Sequence, residues 1–444
     1  MNRLPLFVCL FSLGCATHAD RLKEIRSSYH DGNLVETKKS IDVAIEKHSR
    51  DADVLKLDKA TALLSEGKAR EAEALFREVR DRFEEQEGKD IREGIASMLT
   101  DDQRRAYSGE DYEKVLVRLF LSLSNLMQDG SDAAAYALQV NQKQQQIIEA
   151  SKPKGKEEKN LKEGYKLVAA GAYLHAALRE ETHTNYDDVA RSLELVARWQ
   201  PEFSPAKSDL ERAKNGRHSQ QGNGVVYVYT LVGRGPFKEE KSEIASTVSL
   251  LIADRLISAL GKQSLPPTIA PVKVPVVTRP FNEVSKVAVG IDGKSVGTTE
   301  TLTDVGLMAA QQSEALFPET LARAVVRRIV KKGIVYGVKE AIGTDQNQLS
   351  SLALNAAGVV WEATESADTR CWGLLPDKIQ VLRLELPAGV HQLTLQPAGT
   401  NGSFTIGRPE TIRIEVADGR NTYVLANYPG SKLVGTINTN RLVK

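Results

Sequence analysis

Cysteine, excess charge of either sign and catalytic signatures are all scarce in this 444-residue chain, and each shortage removes a class of protein. Three cysteines cannot staple so long a chain, and with no Cys-x-x-Cys pair or Cys/His cluster they suggest no zinc site. Lys and Arg total 59 against 58 Asp and Glu, so no surplus of cations is present to hold a polyanion, and a general nucleic-acid binder is disfavoured. Charged residues make up 26%, near the globular norm, which argues against a disordered polyelectrolyte and against a membrane bundle. No His-Glu-x-x-His occurs. The seven histidines are scattered, and the closest pair, His175 and His183, lies two helical turns apart, too far to share a metal. Asp187 and Asp188 suit a turn between helices better than an acid/base pair. No cofactor is expected, and the length predicts two or three domains.

The N-terminus is more informative. Met1-Asn2-Arg3 is followed by Leu4 to Leu13 without a charge, then Gly14 and Cys15. A short cationic start and a ten-residue apolar run describe a secretory signal over 1–14, too short to span a bilayer. Phe11-Ser12-Leu13-Gly14-Cys15 resembles the bacterial lipobox, a likeness that implies cleavage before Cys15 and lipid attachment to its sulfur. Three acyl chains would hold it firmly, at about 0.8 kcal/mol per buried CH₂. Ala16 stands where Asp resembles the inner-membrane retention signal, which implies the outer membrane facing the periplasm. With Cys9 removed, Cys371 is the one remaining thiol, and its neighbours Arg370 and Trp372 suit a buried structural residue.

Residues 15–213 are rich in Ala, Leu, Glu, Lys and Gln at helical spacing. Gly32 and Gly67 are 35 residues apart, close to the 34-residue tetratricopeptide period. Around Gly67 the likeness is good, with Ala60, Leu63, Ala72, Phe76 and Val79 at the expected small and large positions. Further copies are expected to turn at Gly32 and Gly130, and another at Tyr186 to Pro201. Such arrays present a concave surface, so a groove for an envelope protein partner is expected. Ser151 to Lys162 reads as a solvated loop or helix extension, and Gln139 to Gln146 as an exposed helix face.

A polar stretch at 214–224 separates this half from 225–444, where β-branched residues dominate. Strands are expected at Val225 to Val232, Ile379 to Leu386, Val390 to Leu395, Thr411 to Val416 and Thr422 to Ala426, and a prolyl edge segment at 266–280. A helix is expected over Glu243 to Leu260 with Ile244, Val248, Leu251, Ile252, Leu256 and Leu260 on its apolar face. Ala288 to Ser295 satisfies a loose phosphate-loop pattern, but poor helix formers follow Lys294-Ser295, and Asp292-Gly293 predicts a hairpin instead. A second amphipathic helix is expected over Pro318 to Ile342. Its Arg323, Arg327, Arg328, Lys331 and Lys332 form a candidate contact for lipid phosphates or anionic glycans, or else a solvated face. The fold class expected is α+β: an N-terminal tetratricopeptide-like array, then a mixed, mainly antiparallel β domain with two amphipathic helices.

The lipobox, the helical repeats and three C-terminal stretches together resemble a family of uncharacterised bacterial envelope lipoproteins. The carrying residues are Asp292-Gly293, the helix Ala322 to Arg327 with Lys331 and Lys332, and Trp372, Leu375, Pro376, Ile379, Gln380, Arg383, Leu386, Pro387 and Gly389. The resemblance implies an envelope location, no known catalytic residue, and a link to peptidoglycan synthesis through genomic neighbourhood. The expected function is thus a non-enzymatic, lipid-anchored periplasmic adaptor. A peptidoglycan-, glycan- or lipid-binding module is the alternative, and an envelope hydrolase with an unrecognised site a third. Membrane contact is expected through lipidated Cys15, with no nucleic acid and with oligomeric state left open.

Overall fold

Apolar residues three and four positions apart make the first half a series of helices, each packed on its neighbours in sequence. They are α1 (His18–His30), α2 (Leu34–Lys47), α3 (Ala52–Ser65), α4 (Ala69–Glu93) and α5 (Asp111–Leu126), followed by α6 (Ala133–Ala150), α7 (Ala169–Glu180), α8 (Tyr186–Trp199) and α9 (Ala206–Lys214). On α4 the spacing is plain: Ala69, Ala72, Phe76, Val79 and Phe83 are all buried. Gly32, Gly67 and Gly130 have φ of 83°, 88° and 71° at the turns between paired helices, a conformation that side chains with a Cβ resist. Gly171 serves packing instead, since a Cβ there would meet Val140 at 2.6 Å. The chain is described here by a computed structural model for residues 18–93, 106–152, 160–259, 265, 270–341, 366–399 and 405–441. The signal segment, Cys15, Pro266, Pro267 and the side chains of Lys331 and Lys332 lie outside the described residues.

The second half builds two sheets. The larger has the order β11 (Asn438–Thr439), β10 (Asn421–Tyr428), β1 (Asn223–Arg234), β7 (Pro376–Pro387), β6 (Glu300–Asp304), with β1 and β10 parallel and the other pairs antiparallel. The smaller is wholly antiparallel: β5 (Lys294–Thr298), β4 (Val284–Ile291), β8 (Gly389–Gly399), β9 (Glu410–Val416). A separate ribbon pairs β2 (Phe237–Glu243) with β3 (Val272–Thr278), the prolyl segment, and α10 (Thr247–Ala259) and α11 (Val305–Ala341) complete the molecule.

β1 shows how the layers are joined. It is buried on both faces, as its near-continuous apolar run demands. Val226, Val228 and Val232 pack toward the smaller sheet. The alternate residues Val225, Tyr227, Tyr229 and Leu231 join the core of the helical array. The result is three layers, helices over sheet over sheet, with apolar packing continuous across residues 214–224.

Three expectations change in detail. The helix foreseen from Glu243 begins at Thr247, and Ile244, Val248 and Leu251 are 74%, 56% and 62% exposed, whereas Ala253 and Ile257 are buried. The stripe that packs is thus rotated toward Ala253, because β3 and α11 approach from that side. The helix foreseen from Pro318 begins thirteen residues earlier at Val305, where the Asp304 carboxylate accepts the Leu307 N–H at 2.7 Å. Pro318 sits inside it. The inner face of the helical array is filled by the chain itself. Trp372 lies 5.5 Å from Phe76 and 4.9 Å from Phe120, ring to ring, and its indole N–H donates to Thr61 Oγ1 at 3.0 Å.

Candidate functional site

Where α5, α11 and the β2–β3 ribbon converge, the seam between the halves opens into a cleft of about 310 Å³. Its residues arrive from several separate segments. The stretch ahead of α5 gives Tyr107, Glu110 and Asp111; β2 gives Lys238; β3 gives Pro275 and Val277; the stretch before β7 gives Asp368 and Arg370. α11 supplies one stripe at helical spacing: Ala309, Gln312, Leu316, Thr320, Arg323 and Arg327, with Phe317 beside it. The opposite stripe of α11, Leu321, Ala322, Val325 and Val326, is buried against β3 and α10.

The floor includes Tyr107 and Tyr112, backed by a buried carboxylate. Glu113 stands at the third position of α5, where it closes a capping box with Glu110. It accepts the Trp372 N–H at 2.7 Å, the Glu110 N–H at 3.2 Å, the Tyr112 hydroxyl at 3.3 Å and the Tyr107 hydroxyl. Burial raises its pKa. Burial likewise pushes the neighbouring Tyr107 and Tyr112 hydroxyls well above the usual tyrosine range, with Glu113 adding to the effect. Next to this floor Glu110 pairs with Lys238. Burial lowers the Lys238 pKa, but Glu110 and Asp368 outweigh it and hold the ammonium above its ordinary value. Asp368 is half-buried, yet the Arg370 guanidinium, at 2.7 and 2.9 Å, keeps it ionised and its pKa low. Asp111 bonds Lys162 at 2.7 Å and the Tyr165 hydroxyl at 3.3 Å. Each carboxylate in the wall is therefore already matched by a cation or a set of donors.

The expected basic stripe of α11 is divided by this geometry. Arg323 and Arg327, one turn apart, line the cleft, and Arg323 also pairs with Glu319 at 3.1 Å. Arg328 points elsewhere and donates to the carbonyls of Ala270 and Pro271 at 3.0 and 2.6 Å. Lys331 and Lys332 continue the helix, with side chains outside the described residues, and Cys15 lies outside them as well.

Other singled-out residues take structural places. Asp292 and Gly293 have φ of 51° and 77° and join antiparallel β4 and β5, so Lys294 opens a strand and not a helix. The Asp292 carboxylate accepts the Gln392 N–H at 2.8 Å. Cys371 is fully buried, and burial raises its thiol to about 11. His175 bonds Ser192 at 3.1 Å, while His183 lies 4.8 Å, ring to ring, from His218. Asp187 and Asp188 sit in the first turn of α8. Among the described residues, no cluster of three or more His, Cys, Asp or Glu could hold a metal ion, and no helix is long and apolar enough to cross a membrane.

Glu110, Lys238, Asp368 and Arg370 were not foreseen as site residues. Only the Glu110-x-x-Glu113 capping pattern left a local trace in the sequence. Compared with known protein families, curated proteins and solved structures, the chain matches none.

Proposed function

We propose that this chain is a lipid-anchored, non-enzymatic adaptor of a bacterial cell envelope. Cys15 holds it at the periplasmic face of the outer membrane, and an acidic segment of another envelope protein seats in the seam cleft. The observation that supports this reading is the cleft's composition. Arg323 and Arg327 stand over an apolar wall of Pro275, Val277, Leu316 and Phe317. Carboxylates on the opposite side are tied to Lys238 and Arg370. A base or nucleophile needs a proton acceptor with capacity to spare, and these carboxylates have theirs committed. The volume sits at the small end of binding pockets, roughly 300–1,000 Å³, enough for a few side chains of an extended segment. The inner face of the array is filled by Trp372, so the seam, not the groove, is the surface offered to a partner.

A photo-crosslinking residue at Thr320 in the lipidated chain tests the reading. Crosslinks to an envelope protein are expected, and Arg323→Glu with Arg327→Glu should abolish them. Crosslinks that survive the charge reversal would remove the cleft from the interface. The two arginines also favour a second reading, an anionic glycan. Sedimentation of purified protein with peptidoglycan, lost in the same double variant, would select it over the adaptor.

A further inference from the structure

A second concavity, of about 330 Å³, lies at the start of the described chain, between α1, the α2–α3 connection and the stretch before β7. Arg21, Lys47, Arg50 and Arg370 line it, against Asp51 and Asp368, a surplus of two positive charges with the histidines neutral. Both acids are already answered: Asp51 by Arg21, Asp368 by Arg370 at 2.7 Å. Lys47 and Arg50 are exposed and make no ion pair among the described residues.

His18 also lines this concavity. It is only 3% exposed, its Nδ1 lies 3.2 Å from Asp51 Oδ2, and its Nε2 has no hydrogen-bond partner in the protein. A buried polar atom left unpaired is destabilising, so it calls for a ligand or a water. Burial lowers the His18 pKa, ionised Asp51 behind the ring opposes that, and an anion at Nε2 adds the charge that favours a proton there, with Nε2–H then donating to it.

Position says which anion. His18 follows Cys15 by three residues, and consecutive Cα atoms are about 3.8 Å apart, so the two Cα atoms are within about 11 Å. A lipid on Cys15 therefore holds the concavity at the headgroup layer, where phosphate is dense. We propose that this concavity binds the phosphate of a membrane phospholipid headgroup, through Lys47, Arg50 and His18, and so fixes the orientation of the anchored protein on the bilayer. This rests on lipid attachment at Cys15, which is part of the function proposed above.

The test uses the mature chain as Cys15→Ser, without lipid, sedimented with vesicles of phosphatidylglycerol and phosphatidylethanolamine or of phosphatidylcholine alone. Binding to the anionic vesicles is expected, and Lys47→Glu with Arg50→Glu should weaken it at least about tenfold. The matched control Arg408→Glu with Arg413→Glu, at exposed residues of the segment around β9, should leave it within about twofold. His18→Ala should weaken binding in the same direction as the Lys47/Arg50 pair.

Equal loss in both double variants would reduce the effect to overall charge and overturn the site. So would unchanged binding in the Lys47/Arg50 variant, absence of vesicle binding, or full displacement by millimolar inorganic phosphate, which would make free phosphate the ligand. Circular dichroism of each variant confirms its fold. Mass spectrometry of the native chain reports the Cys15 lipid separately. A missing lipid with intact vesicle binding faults the anchor, and a lipid present without vesicle binding faults the concavity.

Discussion

Asp58 is fully buried on α3 and accepts the Leu374 N–H at 2.8 Å through one oxygen, while the other has no partner. Burial raises its pKa to about 7, with Glu113 adding to the rise and the Leu374 hydrogen bond opposing it. A carboxyl raised in the folded state binds its proton more tightly there than in the unfolded chain. The stability it contributes is complete below about pH 4 and lost as pH climbs to about 7. Asp58→Asn keeps an acceptor for Leu374 and removes the titration. The stability gap between wild type and this variant is expected to move by up to about 4 kcal/mol across that interval, in favour of the variant at high pH. Urea unfolding at a series of pH values checks it, and a constant gap would show that Asp58 does not titrate there. None of this is visible around position 58 in sequence. An Asp among Leu57, Lys59 and Ala60 reads as an ordinary exposed helix residue, and only a segment more than three hundred positions away buries it.

At the scale of elements, the features legible beforehand are those whose cause is local. The β1 run, the Asp292-Gly293 turn and the paired helices around Gly67 each carry their own steric reason. Gly293→Val should destabilise the protein by roughly 1–2 kcal/mol, because a β-branched residue resists positive φ. Lys294→Ala should change stability by less than about 0.5 kcal/mol, as expected of an exposed strand position. Thermal melts of both variants decide it, and a large loss at Lys294 alone would argue for a role beyond the hairpin. The first turns of α11 were hidden because Gln311, Gln312 and Ser313 dilute the apolar period. Gln312 and Ser313 line the cleft, so the passage where the helix pattern fades is where the site begins. The pairing of Lys238 with Glu110 spans 128 positions and follows only from the tertiary fold that brings β2 to the stretch ahead of α5.

For the whole molecule, the change of composition at 214–224 marks a change of secondary structure and not a break in packing. Tyr173 of α7 meets Tyr227 of β1 at 6.1 Å between ring centroids, and Trp372 closes the contact between α3, α4 and α5. Unfolding of the chain should therefore be one cooperative transition, with far-ultraviolet circular dichroism and tryptophan fluorescence superimposing. A fragment ending at Lys214 should bind a hydrophobic dye or aggregate, since it uncovers Phe76, Phe120 and Tyr173. A soluble fragment with native helix content and no dye binding would mean that the helices form an independent unit. The helical character of the first half was readable from the spacing of its apolar residues. What covers the inner face was not, because it depends on a single aromatic residue, Trp372, supplied by a distant segment.

The parallel pairing of β1 with β10 joins Val225–Val232 to Asn421–Tyr428, almost two hundred residues apart. In the order of synthesis, the central strand of the large sheet waits for a segment made almost two hundred residues later. Long-range pairing of this kind closes late and slowly, because chain entropy is lost before contacts repay it. Until that segment is made, the nascent chain holds helices while its large sheet stays open. That is a threadable state, the one that the export proposed above would require.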